Sequence, residues 1–433
     1  MDKFTAFLEA KIVPVADKVS NNKSLQAIMT GFMTILPITI MGAIFTLLST
    51  FQFAPYQSLI AATGLNVVFG YIPNITTNML AVYASFSIAK ALAEKLDYKK
   101  EATAIGIVTL FVFILMIPLG VSGVAKESQE AVTIAAALGT KWLGATGLFT
   151  AIILGLVVPR VYLIAVKNNW TFKMPEGVPP MISESFSSLV PAFVVAVVFA
   201  LVRYGISFTS YGDVNTMIYG LIQSPLKSLA ASPFTFMLFL FLVSLFWFFG
   251  IHGGLVVMPV LSAMYLPLSL ENLDALAAGS ALPNIITQSD WFIFGMIGGG
   301  GATIGLALFY AFFAKSERFK TLGRIALPAS LVGINEPITF GSPVVMNPIL
   351  MIPFFLTPLI LWTISYVLRL VGFLPYLNGT NIPTGTPLVF SAFITGGWLT
   401  ALVQLGLIAL SFLIYYPFAK LLDKKALAEE NNQ

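Results

Sequence analysis

The chain has 433 residues, 58 % of them hydrophobic and only 10 % charged, with a net charge of +4. Soluble domains carry about 25 % charged residues, so this composition excludes a water-soluble globule and points to a protein built inside a bilayer. There is no cysteine, which excludes disulfides, thiolate nucleophiles and cysteine-held metals.

Residues 1–24 hold four lysines and three acidic residues, with Phe4, Phe7, Leu8, Ile12, Val15 and Val19 at helical spacing. This predicts an amphipathic segment on the cytoplasmic membrane surface, interrupted near Pro14. A helix needs about 20 apolar residues to cross the hydrocarbon. Apolar runs follow at 25–51, 67–92, 102–121, 143–166, 189–208, 233–250, 255–270, 291–314, 344–368 and 387–419. Pro73 and Asn74 soften the second, the seventh is short, and the tenth is long enough to require tilt.

The basic residues test that layout. With the N-terminus inside, 18 of the 23 lysines and arginines fall on the cytoplasmic side, as the positive-inside bias requires. Lys126, Lys141, Arg203, Lys227 and Arg369 remain on or toward the outside. The bias predicts both termini in the cytoplasm. It also accounts for the net positive charge without nucleic acid as a partner.

The expected fold is therefore an all-α polytopic membrane protein of about ten transmembrane helices plus re-entrant hairpins. Residues 168–188 read as a cytoplasmic segment and 211–230 as an interfacial linker helix. These divide the chain into a cytoplasmic N-terminal segment (1–24), a five-span N-terminal domain (25–210), the linker, and a C-terminal domain (231–433).

Two segments are neither spans nor ordinary loops. Residues 325–343 contain Pro328, Gly333, Pro337, Gly341 and Pro343, too many helix breakers for a plain crossing, and read as a re-entrant hairpin. Residues 378–386, Asn-Gly-Thr-Asn-Ile-Pro-Thr-Gly-Thr, read either as an outer loop reaching a cavity or as a surface loop. Non-helical backbone at membrane depth survives only when buried in protein or lining a wet cavity. Broken helices near the midplane are where transporters place their substrate sites.

The polar residues stranded in these apolar stretches are the functional candidates. Glu336 is the only charged residue between Arg324 and Arg369, and His252 is the only histidine of the chain. Burying an ionised carboxylate at membrane depth costs at least about 2.5–3.5 kcal/mol, so Glu336 marks a functional site unless it pairs structurally with Arg324 or Arg369. For His252 the alternative is a packed, hydrogen-bonded core histidine.

Asn284, Gln288, Asn335, Asn347, Asn378 and Asn381, with Trp247, Trp291 and Trp398, complete the set. Asp290 and Trp291 also fit a helix N-cap and an interfacial anchor. Amides, a carboxylate and indole faces suit a neutral polyhydroxylated ligand. Gly298, Gly299, Gly300 and Gly301 lack the Lys-Ser/Thr of a P-loop and read as close packing by small residues. No metal-ligand spacing occurs, and no cofactor is expected.

The motifs Phe249-Gly-Ile-His252-Gly-Gly and Gly333-Ile-Asn335-Glu336-Pro-Ile-Thr-Phe-Gly-Ser-Pro, the segment Gly177-Val-Pro-Pro180 and the ten-span length carry a resemblance over essentially the whole chain. The chain resembles the membrane (IIC) subunit of the bacterial phosphotransferase system, in the lactose/cellobiose/diacetylchitobiose family. That resemblance implies a homodimer in the bacterial cell membrane, with a five-span dimer-interface domain and a C-terminal transport domain that moves like an elevator. It implies that Glu336 binds the sugar hydroxyl to be phosphorylated, as the catalytic residue, and that His252 also contacts the sugar. Asn335, Asn284, Gln288, Trp247, Trp291 and Asn381 are expected to complete the disaccharide site.

The resemblance further implies a cytosolic IIB protein carrying phosphocysteine. A chain without cysteine must receive IIB as a separate polypeptide and holds no phosphocarrier residue of its own. Cellobiose or another β-glucoside, lactose and diacetylchitobiose all fit as substrates. The competing reading is a proton-coupled sugar transporter in which Glu336 and His252 relay protons.

Overall fold

The structure, a computed structural model, describes residues 21–51, 53–124, 131–172, 186–342, 344–383 and 385–431, together with Pro14, Lys18 and Val19. Most of the segment expected over 1–24 lies outside the described residues, as do Gly177-Val-Pro-Pro180 and Pro343. The chain forms two compact units, Asn22–Lys227 and Ser228–Gln433, the latter together with Met1–Asn21.

The first unit contains α1 (Lys23–Thr50), α2 (Ala54–Ala62), α3 (Leu65–Ile75), α4 (Leu80–Lys95), α5 (Ala102–Met116), the hairpin strands β1 (Leu119–Val124) and β2 (Ala131–Leu138), α6 (Leu148–Lys167), α7 (Leu189–Ser207) and α8 (Val214–Ile218). Asn22 caps α1, its Oδ1 accepting the backbone N–H groups of Ser24 and Leu25 at 2.9 and 3.1 Å. Ile88 of α4 sits between α1 and α6. A Cβ at Gly31 or Gly155 would approach it to 2.5 and 2.9 Å, so both helices bring a bare backbone to α4, as small residues allow in bilayers.

One expectation is corrected here. The third apolar run, 102–121, is not helical to its end. α5 stops at Met116 because Ile117 precedes Pro118 and takes extended geometry. From Leu119 the chain instead pairs with β2 in an antiparallel hairpin with a register shift between Leu119 and Val121, where Gly120 has φ +96°. The freed carbonyls of α5 are not left bare: Arg203 of α7 donates to that of Leu115, and Asn215 of α8 donates to that of Met116 at 3.0 Å.

The second unit follows α9 (Ser224–Ala230) and comprises α10 (Pro233–Phe248), α11 (Gly253–Ala277), a π-turn (Trp291–Gly295), a 3-10 turn (Gly300–Ala302), α12 (Ile304–Phe312), α13 (Glu317–Ser330), α14 (Glu336–Gly341), α15 (Pro348–Leu370) and α16 (Phe390–Asn431). Among the described residues, six helices are long and apolar enough to cross a membrane, and three bent helix pairs raise that to nine. α5 is a further apolar helix of 15 residues. The seventh run, short in sequence, extends to a 25-residue helix, α11. The eighth is broken, its two parts bent by 59°. Residues 325–342 form the end of α13, a turn and α14 rather than one crossing.

α16 supplies what the broken eighth span lacks. Its Gln404 Nε2 donates to the carbonyl of Ile293 at 2.8 Å, Ser411 Oγ to that of Ala302 at 2.8 Å, and Tyr415 Oη to that of Gly301 at 2.7 Å. Spacings of seven and four residues place the three on one stripe of the helix. The stripe satisfies backbone oxygens that the π and 3-10 turns leave free, which apolar surroundings would otherwise penalise. At the other end of α16, Asp423 accepts the backbone N–H groups of Lys315 and Ser316 at 2.8 and 3.0 Å, and Glu430 accepts those of Glu317 and Arg318 at 3.1 and 3.0 Å. Two carboxylates thereby cap the entry of α13.

Candidate functional site

Two helix junctions build the site, and both use the same local chemistry. α10 ends where Gly250 turns to φ +76°. The Ile251 N–H then reaches back to the Phe246 carbonyl at 3.0 Å, closing the helix with a Schellman turn. His252 follows as the N-cap of α11, its Nδ1 accepting the Leu255 N–H at 3.2 Å. Gly253 is required by contact, since a Cβ there would lie 2.3 Å from the Val243 carbonyl oxygen.

The second junction repeats the pattern. Gly333 turns to φ +82° after α13, the Ile334 N–H reaches the Ala329 carbonyl at 3.0 Å, and Asn335 precedes α14. Glu336 and Pro337 open α14; the missing N–H of Pro337 costs nothing in a first turn.

The junctions bring His252 and Glu336 together. His252 Nε2 lies 3.4 Å from Glu336 Oε1, with the two side chains 42 % and 43 % exposed, enough for a ligand to reach both. The Trp247 ring packs beside His252 with ring centroids 4.4 Å apart. Asn335 is buried and donates from Nδ2 to the Gly300 carbonyl at 3.0 Å and to Thr339 Oγ1 at 2.9 Å.

Gly299 and Gly300 back this cluster. A Cβ on Gly299 would meet Asn335 at 2.5 Å, and one on Gly300 would meet Trp247 at 2.6 Å. The glycine run does pack closely, as the sequence suggests, but it packs on the site. A small apolar cleft that includes Phe292, Met296, Gly333 and Ile382 adjoins the second junction.

The other candidates lie elsewhere in the unit. Gln288 donates from Nε2 to Ser262 Oγ at 3.0 Å, while its own Oε1 is buried without a partner. Ser262 is ten residues along α11 from His252, about 15 Å at 1.5 Å per residue. Asn284 is held still farther along, by the Leu268 carbonyl and by Glu271 Oε2 at 3.1 and 2.9 Å. Trp291 is a buried core residue rather than an interfacial anchor. Asn381 is half-buried, in a loop pinned by the buried Asn378, whose Nδ2 donates to the Ile394 carbonyl at 2.8 Å. Asn347 caps α15 through the Ile349 N–H, and Trp398 is exposed.

Asp290 makes no helix-cap bond. Its carboxylate accepts from Arg369, from Trp362 Nε1 at 3.0 Å and from the Thr287 N–H at 2.9 Å. The structural pairing considered for Glu336 is thereby corrected: Arg369 is committed to Asp290, Arg324 is exposed, and Glu336 faces His252. Sequence reasoning missed Asn272, whose Nδ2 joins the carbonyls of Asn284 and Leu377 at 2.8 Å each. It also missed the Gln404/Ser411/Tyr415 stripe, although polar residues at helical spacing in an apolar run are a readable signal.

Broken spans, backbone satisfied by a neighbouring helix and a histidine–carboxylate pair at two helix junctions define a polytopic membrane transport protein. Residues 29–358 match the family described as "Phosphotransferase system, EIIC", and the chain belongs to that family. It is 35 % identical to the cellobiose-specific EIIC component of Geobacillus stearothermophilus, over 99 % of this chain and 96 % of that protein. It is 30 % identical to the lactose-specific EIICB component of Lactococcus lactis subsp. lactis, over 100 % of this chain and 74 % of that protein. The crystal structure of ChbC, the IIC component of an N,N'-diacetylchitobiose-specific phosphotransferase system, superposes with a TM-score of 0.93. That match has 35 % identity and covers 99 % of this chain and 100 % of ChbC.

Proposed function

We propose that this chain is the sugar permease subunit of a phosphoenolpyruvate-dependent phosphotransferase system in the bacterial cell membrane, taking a disaccharide, with cellobiose or another β-glucoside first. The observation that carries this reading is the His252–Glu336 pair, accessible yet set in a stretch otherwise free of charge. The names of the cellobiose-, lactose- and diacetylchitobiose-specific relatives support the substrate class.

Glu336 accepts the hydrogen bond of the sugar hydroxyl, and Asn335 holds the junction that aims the carboxylate; Trp247, expected to contact the sugar, is buried in the core and instead backs the His252 ring. When a phosphocysteine of IIB arrives, the S–P bond breaks and an O–P bond forms at the hydroxyl oxygen, whose proton passes to Glu336. Phosphoryl transfer is catalysed mainly by positioning, so the permease need only present the hydroxyl. The phosphocysteine belongs to IIB, since residues 1–433 hold no cysteine; the EIICB relative supports a IIB partner.

Sugar crosses by an elevator-like movement of the C-terminal unit in a homodimer, with both termini in the cytoplasm. The division into two compact units is compatible with such motion. The test is uptake of labelled cellobiose into proteoliposomes. The expected result is sugar phosphate formed only with phosphorylated IIB. Uptake of free sugar driven by a pH gradient with this chain alone would overturn the reading in favour of proton coupling.

A further inference from the structure

We infer that His252 is held as its Nε2–H tautomer and acts as a fixed hydrogen-bond donor to Glu336, not as a proton acceptor. A neutral imidazole has one protonated and one bare nitrogen, and the partner of one decides the other. Here Nδ1 faces the Leu255 N–H at 3.2 Å. A backbone N–H can only donate, so Nδ1 must be the bare nitrogen and the ring proton sits on Nε2. That nitrogen faces Glu336 Oε1 at 3.4 Å, a carboxyl oxygen placed to accept from it.

The Nδ1 bond requires this tautomer, and the Glu336 oxygen, which comes from a different element, agrees with it. Trp247 packs against the ring, and Gly254 leaves space where a Cβ would lie 3.2 Å from His252 Cε1.

The consequence for chemistry is a division of labour. Protonating Nδ1 would set one N–H against another and uncap a helix of 25 residues. The only bare nitrogen of the ring is therefore spent on architecture. The proton leaving the sugar hydroxyl goes to the Glu336 carboxylate, and His252 is a positioning residue that orients that carboxylate by donation. This part deepens the sugar-presenting reading and rests on it; the tautomer itself does not.

The experiment exploits the fact that the chain has a single histidine. Protein labelled with [15N]histidine and reconstituted in lipid at neutral pH gives one pair of ring nitrogen signals. The expected spectrum has one protonated and one bare nitrogen. The protonated one is assigned to Nε2 by its correlations to both ring carbon-bound protons. A bare Nε2, or two protonated nitrogens, would overturn the inference, and neither outcome depends on whether cellobiose binds.

Two isosteres supply an independent readout. In His252→Asn the side-chain oxygen stands where Nδ1 caps Leu255. In His252→Gln the amide nitrogen stands near Nε2. The expected results are a near-native melting midpoint for the Asn variant with at least about tenfold weaker cellobiose binding, and a lowered midpoint with better-retained binding for the Gln variant. The reverse ordering of the two variants in melting midpoint would overturn the capping role on which the tautomer rests.

Discussion

Arg369 and Asp290 form a buried ion pair, 1 % and 0 % exposed, that staples an irregular loop to α15. Arg369 also donates to the Ile285 carbonyl at 2.7 Å, while Asp290 accepts the Thr287 N–H, so the pair fixes the segment leading to Gln288 from two sides. Removing one partner leaves a buried charge unpaired, which costs about 3–5 kcal/mol. Asp290→Leu is expected to lower stability by that amount in detergent unfolding. The double variant Asp290→Leu/Arg369→Met is expected to recover most of it, since well-packed apolar replacements of buried pairs are often neutral. A double variant no more stable than the single one would count against this account.

Glu336→Gln keeps size and some hydrogen bonding but removes the proposed base, while Glu336→Ala removes both. The Gln variant is expected to bind cellobiose better than the Ala variant, and both to lose most IIB-dependent phosphorylation. Calorimetry alongside sugar-phosphate formation separates the two effects. Full phosphorylation by the Gln variant would dismiss a necessary base.

Gly300→Ala tests the backing of the site. The added methyl would lie 2.6 Å from Trp247 Cδ1 and 3.1 Å from Asn335 Nδ2, and overpacking of this kind costs about 1–3 kcal/mol. Weaker sugar binding is expected, because the displaced groups are Trp247 and Asn335. Unchanged affinity, measured by titration on folded protein, would show that the site absorbs the methyl.

Asp423 is nearly buried and caps the turn before α13 with both carboxylate oxygens. Asp423→Ala leaves two backbone N–H groups without that partner, a loss of about 1–3 kcal/mol. The expected fall in melting midpoint is accompanied by faster proteolysis near residues 315–318. Asp423→Asn is expected to retain part of the cap.

Orientation is testable without background, because the chain has no cysteine. Lys320→Cys is expected to react with a membrane-impermeant thiol reagent only after the cytoplasmic face is opened. Labelling from outside intact cells would reverse the assigned topology.

The spans were legible because hydrocarbon imposes one rule, length of apolar run, that composition displays directly. Glu336 and His252 were legible for the same reason: each stands alone. Asn284 and Gln288 carry the same amide chemistry as Asn335, and nothing in their sequence reveals that they are held far along α11 while Asn335 lies beside Gly300. The partner of Arg369 was equally hidden, since Asp290 lies 79 positions away. The β-hairpin escaped notice because Leu119 and Val121 continue an apolar run that Pro118 has already ended as a helix.

The stripe of Gln404, Ser411 and Tyr415 also sets an order of events during synthesis. The carbonyls of Ile293, Gly301 and Ala302 leave the ribosome about a hundred residues before their partners do. Until α16 is threaded into the bilayer, the eighth span holds backbone oxygens with no protein donor from that helix, a costly state in lipid. The broken span therefore reaches its final form last, although it is made before α13, α14 and α15. A nascent chain truncated before residue 404 is expected to keep that span unsettled and exposed to membrane proteases, whereas one released after residue 415 can close it.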